Sequence, residues 1–231
     1  MPKPCLAATV VFDLDGTIAD TAPDLIDAAN AALIAGGFAA APPEAIRKAV
    51  GLGARAMVEA GLAAAGHDLD AGRVRQLAAG LVAHYEMNIA AKTCLFPGFA
   101  EAAGSLRLEG AKLALCTNKQ QRLTLKLLEA LGIAGLFDAV TCGDSFPFRK
   151  PDPRHVESAV SLAGGDLFAA VMVGDSEPDI AAAKAAGIPA IAVSFGYASV
   201  PARELGAGAV MNSFEELPGL IRAVFAPAVF L

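Results

Sequence analysis

Short, continuous apolar runs recur along this 231-residue chain and constrain its fold more than any other feature. Such runs are typical of parallel strands covered on both faces, whereas half-exposed strands alternate polar and apolar residues. Helix-like stretches lie between the later runs, so the pattern predicts an α/β fold with a Rossmann-like parallel sheet and helices on both faces. The predicted strands are Leu6 to Phe12, Ala111 to Cys116, Ala139 to Cys142, Ala169 to Gly174, Pro189 to Ser194 and Ala209 to Met211. The predicted helices among the later strands are Lys119 to Leu131, Pro153 to Ala163, Pro178 to Ala186 and Phe214 to Val224.

The interval from Ala22 to Ala91 interrupts this alternation, because it contains helix-like segments and no convincing strand. Breaks containing glycine separate these segments. We therefore predict an all-helical insertion over residues 22–91 in an α/β core domain made of residues 1–21 and 92–231. The predicted helices of the insertion are Pro23 to Ala35, Pro43 to Val50, Ala54 to Ala65 and Asp70 to Ile89.

Charge and composition argue against a nucleic-acid-binding protein and against a membrane protein. The chain has 18 basic and 24 acidic residues, a formal net charge of −6, and lacks the basic surface expected of a nucleic-acid binder. Its charge-free runs, Ala28 to Pro43 and Ala185 to Ala202, are interrupted by glycine and proline, so we expect no membrane span. Without a signal peptide or a CxxC pair, we expect a reduced, cytoplasmic setting. The sequence leaves monomer and homodimer both open.

Two carboxylates follow the first predicted strand, in Val10-Val-Phe-Asp13-Leu-Asp15-Gly-Thr17. Residues two apart in an extended backbone project to the same face, so Asp13 and Asp15 point together. Gly16 permits a sharp turn there, which places both acids at the carboxyl end of a strand, where open parallel sheets bind ligands. Neighbouring carboxylates repel each other unless they share a cation or one holds a proton. Taken alone, the same pattern could also form a turn or a helix cap.

Three further strand ends carry polar residues of complementary kinds. Thr117 and Asn118 follow the second core strand, Lys150 precedes a Pro-Asp-Pro helix start, and Asp175 and Asp179 follow a buried strand. Each could serve as a helix cap, a surface charge or a turn former. Carboxylates, a hydroxyl and a cation at four strand ends of one parallel sheet together indicate a single site.

These strand ends resemble the four motifs of the haloacid dehalogenase superfamily, and the resemblance covers nearly the whole chain. Asp13-Leu-Asp-Gly-Thr17 is similar to the first motif, Thr117-Asn118 to the second, Lys150-Pro-Asp-Pro to the third and Gly174-Asp-Ser-x-x-Asp179 to the fourth. Within the superfamily the chain looks most like the phosphoglycolate phosphatases. Stretches that support this narrower resemblance are Asp20-Thr-Ala-Pro-Asp24, Val50-Gly-Leu-Gly-Ala-Arg55, Leu115-Cys-Thr-Asn-Lys119 and Gly143-Asp-Ser145. Pro178 stands where members commonly carry Asn, at a helix start that tolerates proline.

The residues and the resemblance imply the same chemistry on a small phosphate ester. Asp13 is expected to be the nucleophile that forms an aspartyl-phosphate, and Asp15 the general acid and then the general base. Thr117, Asn118 and Lys150 are expected to bind the phosphoryl oxygens. A Mg²⁺ cofactor is expected on Asp13, Asp175 and the backbone carbonyl of Asp15, with Asp179 supporting the site from behind.

The resemblance implies that the insertion over residues 22–91 is a cap domain and that residues 1–21 and 92–231 form the catalytic core. The cap carries a local cluster of positive charge in an acidic chain. Arg47, Lys48 and Arg55 flank Gly51-Leu-Gly53. Arg47, Gly51 and Arg55 are therefore candidates for contact with the leaving-group end of the substrate, such as a carboxylate. The alternative is an ordinary solvated helix face.

The expected substrate is 2-phosphoglycolate, and related activities compete with it. Phosphatases acting on pyrophosphate, phosphosugars or nucleotides share these motifs, and a β-phosphoglucomutase-like sugar phosphomutase also keeps both Asp13 and Asp15. A dehalogenase lacks the second acid and is disfavoured. A phosphoacceptor signalling domain is disfavoured too, since it needs neither a helical cap nor Asp15.

Overall fold

A six-stranded parallel sheet forms the centre of the structure, a computed structural model that describes residues 7–68 and 70–225. Within those residues the strands are β1 Thr9–Phe12, β2 Ala19–Asp20, β3 Cys94–Leu95, β4 Lys112–Cys116, β5 Ala139–Thr141, β6 Ala170–Gly174, β7 Ala190–Val193 and β8 Ala209–Met211. The large sheet has the order β5-β4-β1-β6-β7-β8, and each neighbouring pair is parallel. Strands β2 and β3 form a separate antiparallel ribbon. The predicted α/β fold is confirmed.

Helices cover both faces of this sheet. Within the described residues they are α1 Ala22–Ala35, α2 Pro43–Arg47, α3 Ala54–Ala64, α4 Ala71–Met87, α5 Phe99–Leu108, α6 Gln121–Ala130, α7 Pro153–Leu162, α8 Glu177–Ala185 and α9 Leu217–Val224. None of them is both long enough and apolar enough to cross a lipid bilayer.

Alternate residues of the central strands enter two different apolar layers, as a pleated strand requires. Val10 and Phe12 of β1 face one layer, to which α5, α6 and α9 contribute large side chains such as Phe99. Val11 faces the other layer, which α7 and α8 cover and in which alanine predominates. With both faces covered, the central strands are buried along their whole length, which explains their continuous apolar sequences.

Helices α1, α3 and α4 pack against one another in the chain between β2 and β3. The two connections of this helical segment are fixed by buried polar contacts. The Asp24 carboxylate, near the start of α1, accepts hydrogen bonds from the backbone nitrogens of Lys92 and Thr93 and from Thr93 Oγ1, at 2.7–3.0 Å. The chain that leaves the core and the chain that returns to it are thereby held side by side.

The sequence did not predict two of these features, α5 and the β2-β3 ribbon. Helix α2 ends at Arg47, earlier than predicted, and a short 3-10 turn over Val50–Leu52 follows it. Leu6, the predicted start of the first strand, and residue 69 of the predicted insertion lie outside the described residues.

Candidate active site

Three neighbouring strands, β4, β1 and β6, bring the predicted functional residues to one edge of the sheet. Asp13 follows β1, Thr117 and Asn118 follow β4, and Asp175 follows β6. Because the strands are parallel and adjacent, their carboxyl ends open on the same side. Lys150, which precedes α7, reaches this edge from the chain after β5, and the Lys150–Pro151 peptide bond is cis.

Lys150 forms buried ion pairs with two acids, Asp13 after β1 and Asp179 after β6. Its Nζ lies 2.7 Å from Asp13 Oδ1 and 2.6 Å from Asp179 Oδ1, and it also donates to the Cys116 carbonyl oxygen at 2.5 Å. Burial would lower the pKa of the ammonium, but the Asp13 and Asp179 carboxylates outweigh burial and raise it. Lys150 is therefore a fixed positive charge in the site at neutral pH.

Three buried acids, Asp13, Asp175 and Asp179, outnumber the single ammonium of Lys150. Oxygens of Asp13, Asp175 and Asp179 lie within 4.8 Å of one another, and all three residues are buried. Burial raises the pKa of Asp13 to about 7 against the opposing effect of Lys150, and burial and the other acids raise the pKa of Asp175. Buried carboxylates with an excess of negative charge are a donor set that suits a hard divalent cation such as Mg²⁺. The residues present thus fit the expected metal.

Asp15 points its carboxylate to a different partner. Its Oδ1 accepts hydrogen bonds from Lys119 Nζ at 2.9 Å and from Thr21 Oγ1 at 2.6 Å. The turn that orients it is tight, because the backbone nitrogens of Thr17, Ile18 and Ala19 all donate to the Leu14 carbonyl oxygen. The two acids of the first motif therefore have separate cations, Lys150 for Asp13 and Lys119 for Asp15.

Asp175 is held by the turn after β1 and by the loop after β7. Its Oδ1 accepts from Thr17 Oγ1 at 3.2 Å, and its Oδ2 accepts from the backbone nitrogen of Tyr197 at 2.7 Å. Gly16 has φ of +81°, and a Cβ at that position would collide with the Asp175 carboxylate and the Tyr197 ring. Glycine is needed here for its backbone conformation and for the space it leaves.

Asp179 combines a structural role with its place among the acids. Its Oδ2 accepts from the backbone nitrogen of Ser176 at 3.0 Å and from Ser176 Oγ at 2.5 Å, which caps the start of α8. Its Oδ1 is the oxygen that faces Lys150. One carboxylate thus fixes both the helix after β6 and the cation of the site.

Thr117 and Asn118 lie beside these charges. Thr117 Oγ1 accepts from the backbone nitrogen of Lys119 at 3.1 Å, and Asn118 Nδ2 donates to the Lys150 carbonyl oxygen at 2.9 Å. Within the described residues the buried Asn118 Oδ1 has no hydrogen-bond partner. The loop between β4 and α6 and the chain before α7 are therefore held together at the site.

A cleft of about 470 Å³ opens over this edge of the sheet, between it and the helices inserted after β2. From the core its lining includes Asp13, Asp15, Thr117, Asn118, Lys119, Lys150 and Asp179. From the helical segment its lining includes Val50, Gly51, Leu52, Gly53, Met57, Leu81 and Tyr85. The cleft has the size of a small-molecule site and is charged at its floor and apolar at its roof.

Of the cap candidates, Gly51 lines the cleft, whereas Arg47 and Arg55 do not. Arg55 is exposed and pairs with Glu59 one helical turn away, at 2.7 Å. Arg47 lies 4.0 Å from Asp20 and stacks over the Tyr197 ring at 4.9 Å. Neither contacts the clustered acids.

Lys119 and Tyr197, to which the sequence analysis gave no role, both make hydrogen bonds with acids at or next to the site. Lys119 is nearly buried and pairs with Asp15. Tyr197 donates its hydroxyl hydrogen to Asp20 Oδ1 at 2.6 Å, while that hydroxyl oxygen accepts from the backbone nitrogen of Ala22. The position of Lys119 directly after Thr117-Asn118 was a usable signal, whereas Tyr197 is 22 residues from Asp175 and has no local signature.

The chain is similar in sequence and in fold to known proteins. Residues 10–193 match the family described as haloacid dehalogenase-like hydrolase. The chain is 45% identical over 211 residues to a phosphoglycolate phosphatase of Caulobacter vibrioides, an alignment that covers 91% of this chain and 89% of the relative. It is 46% identical over 208 residues to a phosphoglycolate phosphatase of Mesorhizobium japonicum, covering 90% and 92% of the two chains. A crystal structure from Haemophilus somnus, described as a predicted phosphoglycolate phosphatase, superposes with a TM-score of 0.85 at 26% identity and covers 95% of this chain and 99% of its own.

Proposed function

This chain belongs to the haloacid dehalogenase-like hydrolases, and we propose that within that family it is a magnesium-dependent phosphomonoesterase that hydrolyses 2-phosphoglycolate to glycolate and phosphate. The observation that carries the proposal is the buried group of Asp13, Lys150, Asp175 and Asp179, with Asp15 beside it on the floor of the cleft. The names of the relatives supply the choice of substrate.

In the proposed first step, a carboxylate oxygen of Asp13 attacks phosphorus while the bond from phosphorus to the ester oxygen breaks. Asp15 gives its proton to the departing glycolate oxygen, so that glycolate leaves with a neutral hydroxyl group. The product on the protein is an aspartyl-phosphate at Asp13. The ion pair with Lys150 supports this role, because it fixes the Asp13 carboxylate at the strand end.

In the second step, water attacks phosphorus and the bond from phosphorus to the Asp13 oxygen breaks. Asp15, now a carboxylate, accepts the proton of the attacking water and returns to its acid form. Lys150, Thr117 and Asn118 would hold the phosphoryl oxygens through both steps, since positive charge and fixed donors stabilise the negative charge of the transition state.

Asp13, Asp175 and the backbone carbonyl of Asp15 would hold Mg²⁺. When bound, the cation would supply the positive charge that lets the phosphate dianion approach the acids. Helices α1 to α4, the proposed cap over residues 22–91, would exclude water from the cleft during the first step.

The test is phosphate release from 2-phosphoglycolate with Mg²⁺ and with EDTA, alongside pyrophosphate, a phosphosugar and a nucleotide. We expect 2-phosphoglycolate to give the highest kcat/KM and Asp13→Asn to lower its kcat by about 1,000-fold or more. Asp68→Asn, an exposed acid in the segment between α3 and α4, is the matched control. Activity that survives Asp13→Asn contradicts the nucleophile, and a phosphosugar as the best substrate contradicts the choice of 2-phosphoglycolate.

A further inference from the structure

Lys119 is a buried cation in the cleft that the proposed phosphoryl transfer leaves without a role. Its side chain is 6% exposed, its Nζ lies 2.9 Å from Asp15 Oδ1, and the face of the Tyr85 ring lies 4.4 Å from the same Nζ. Lys119 comes from the core, before α6, whereas Tyr85 comes from α4. The ammonium therefore lies where the floor of the cleft meets its roof.

The Lys119 ammonium lies on the side of the cleft where the leaving group of the substrate is expected, and not on the side of the phosphoryl group. Lys150 lies beside Asp13, the proposed nucleophile, and Lys119 lies beside Asp15, the proposed proton donor to the ester oxygen. In 2-phosphoglycolate one methylene group separates that ester oxygen from the carboxylate. A substrate whose ester oxygen faces Asp15 would therefore have its carboxylate within reach of Lys119.

The positive charge of Lys119 beside Asp15 also favours an anionic leaving group. An ammonium has three N–H donors, and the hydrogen bond to Asp15 uses one of them. The remaining donors are left for a substrate carboxylate, which would be a second counter-ion for a cation that is nearly buried.

Three arginines of the chain are worse placed for this contact. Arg55 is paired with Glu59 and Arg47 lies against Asp20 and Tyr197, both outside the cleft. Arg149 lines the cleft but is exposed, whereas Lys119 is held in position by its two neighbours. We propose that Lys119 binds the carboxylate of the leaving group and so determines the preference for acidic phosphate esters, an inference that rests on the proposed phosphatase function.

The experiment compares 2-phosphoglycolate with 2-hydroxyethyl phosphate, which has a hydroxymethyl group in place of the carboxylate. Wild-type enzyme should prefer 2-phosphoglycolate. Lys119→Met should lower kcat/KM for 2-phosphoglycolate by about 10- to 100-fold, largely through KM, and change kcat/KM for the neutral ester far less. Lys119→Arg, which keeps the charge, should keep most of the preference.

Three further variants make the result specific. Lys112→Met removes an exposed lysine at the start of β4, at the opposite end of that strand from the site, and should leave both activities unchanged. Arg149→Met should keep the preference. Lys119→Gln keeps a hydrogen-bond donor for Asp15 without the charge, and it replaces Lys119→Met if circular dichroism shows that the methionine variant does not fold.

The outcomes separate this inference from the proposed function. Wild-type enzyme that hydrolyses neither ester contradicts the phosphatase function and the inference with it. Equal losses for both esters in the Lys119 variants mean that Lys119 acts only through Asp15, which overturns the inference and leaves the phosphatase function intact. Loss of the preference in Arg149→Met, with its retention in Lys119→Met, assigns the carboxylate contact to Arg149 and also overturns it.

Discussion

Nζ of Lys150 lies 2.7 Å from Oδ1 of Asp13, with both side chains at most one-tenth exposed, so a cation and an acid from opposite halves of the chain form one buried pair. The same Nζ pairs with Asp179, which makes Lys150 the common partner of acids after β1 and β6. The stability of the sheet edge and its charge therefore depend on one residue.

Lys150→Met should destabilise the protein, because it leaves buried carboxylates without their cation. We expect the free energy of unfolding in EDTA to fall by about 3–5 kcal/mol, as is usual when one partner of a buried pair is removed. Chemical denaturation followed by circular dichroism measures the change. Mg²⁺ should recover part of the loss, and a variant as stable as wild type in EDTA would contradict the importance of the pair.

Mg²⁺ should stabilise the folded protein through Asp175. A ligand that binds only the folded state at 100 times its Kd adds about 2.7 kcal/mol to the free energy of unfolding. We expect the melting temperature of wild type and of Asp68→Asn to rise with Mg²⁺, and that of Asp175→Asn to respond far less. An equal rise in Asp175→Asn would show that the cation binds elsewhere.

Gly16→Ala should be far more harmful than the same change at Gly37. Both glycines have positive φ, at +81° and +90°, but a Cβ at Gly37 meets no atom within 4 Å, whereas a Cβ at Gly16 meets Asp175 and Tyr197. Gly37→Ala should cost about 1 kcal/mol for its backbone conformation alone. Gly16→Ala should cost about 2 kcal/mol more, because Asp175 must move, and it should abolish the Mg²⁺ response. Equal costs in thermal denaturation would argue against close packing at this turn.

His155 should make the protein less stable in mild acid. Burial and the nearby charge of Lys150 lower the pKa of His155 to about 4, and its Nδ1 accepts a hydrogen bond from the backbone nitrogen of Lys150. The unfolded chain takes up a proton near the ordinary pKa of about 6.5, whereas the folded chain does so only near 4. The contribution of His155 is therefore full above pH 6.5 and is lost as the pH falls towards 4, at no more than ~1.4 kcal/mol per pH unit.

The measurement is the free energy of unfolding of wild type minus that of His155→Gln, followed from pH 7 to pH 5. The difference is needed because Asp13, whose pKa is raised by burial, changes stability in the opposite direction over the same range. The advantage of wild type should shrink as the pH falls. Parallel curves would contradict the depressed pKa of His155.

Continuous apolar strands ending in polar residues allowed the sheet, its parallel topology and the grouping of Asp13, Asp175 and Lys150 at one edge to be predicted. Helix α5 was missed although its buried residues Phe99, Ala102, Ala103 and Leu106 have helical spacing, because no capping side chain marks its start after Gly98. Strands β2 and β3 are two residues long and leave no pattern to detect.

The partners of the site residues were harder to predict than the residues themselves. Lys119 is next to Asn118 in sequence, but its pairing with Asp15 joins positions 104 residues apart. The contact between Tyr197 and Asp20 joins positions 177 residues apart. Such pairs depend on the order of the strands, which a single sequence does not specify. The prediction therefore relied on closeness in sequence, and it selected Arg47 and Arg55 because they flank Gly51-Leu-Gly53.

The two faces of the sheet should tolerate sequence change unequally. On the face of Phe12 and Phe99, large side chains interlock, and exchanges among leucine, isoleucine and methionine have room to be absorbed by repacking. On the face of α7 and α8, more than half of the buried residues are alanine, and no smaller side chain except glycine exists to replace them. Substitutions should therefore be tolerated better on the face of Phe12 and Phe99, and the strand positions under α7 and α8 are a poor place to begin any redesign of this protein.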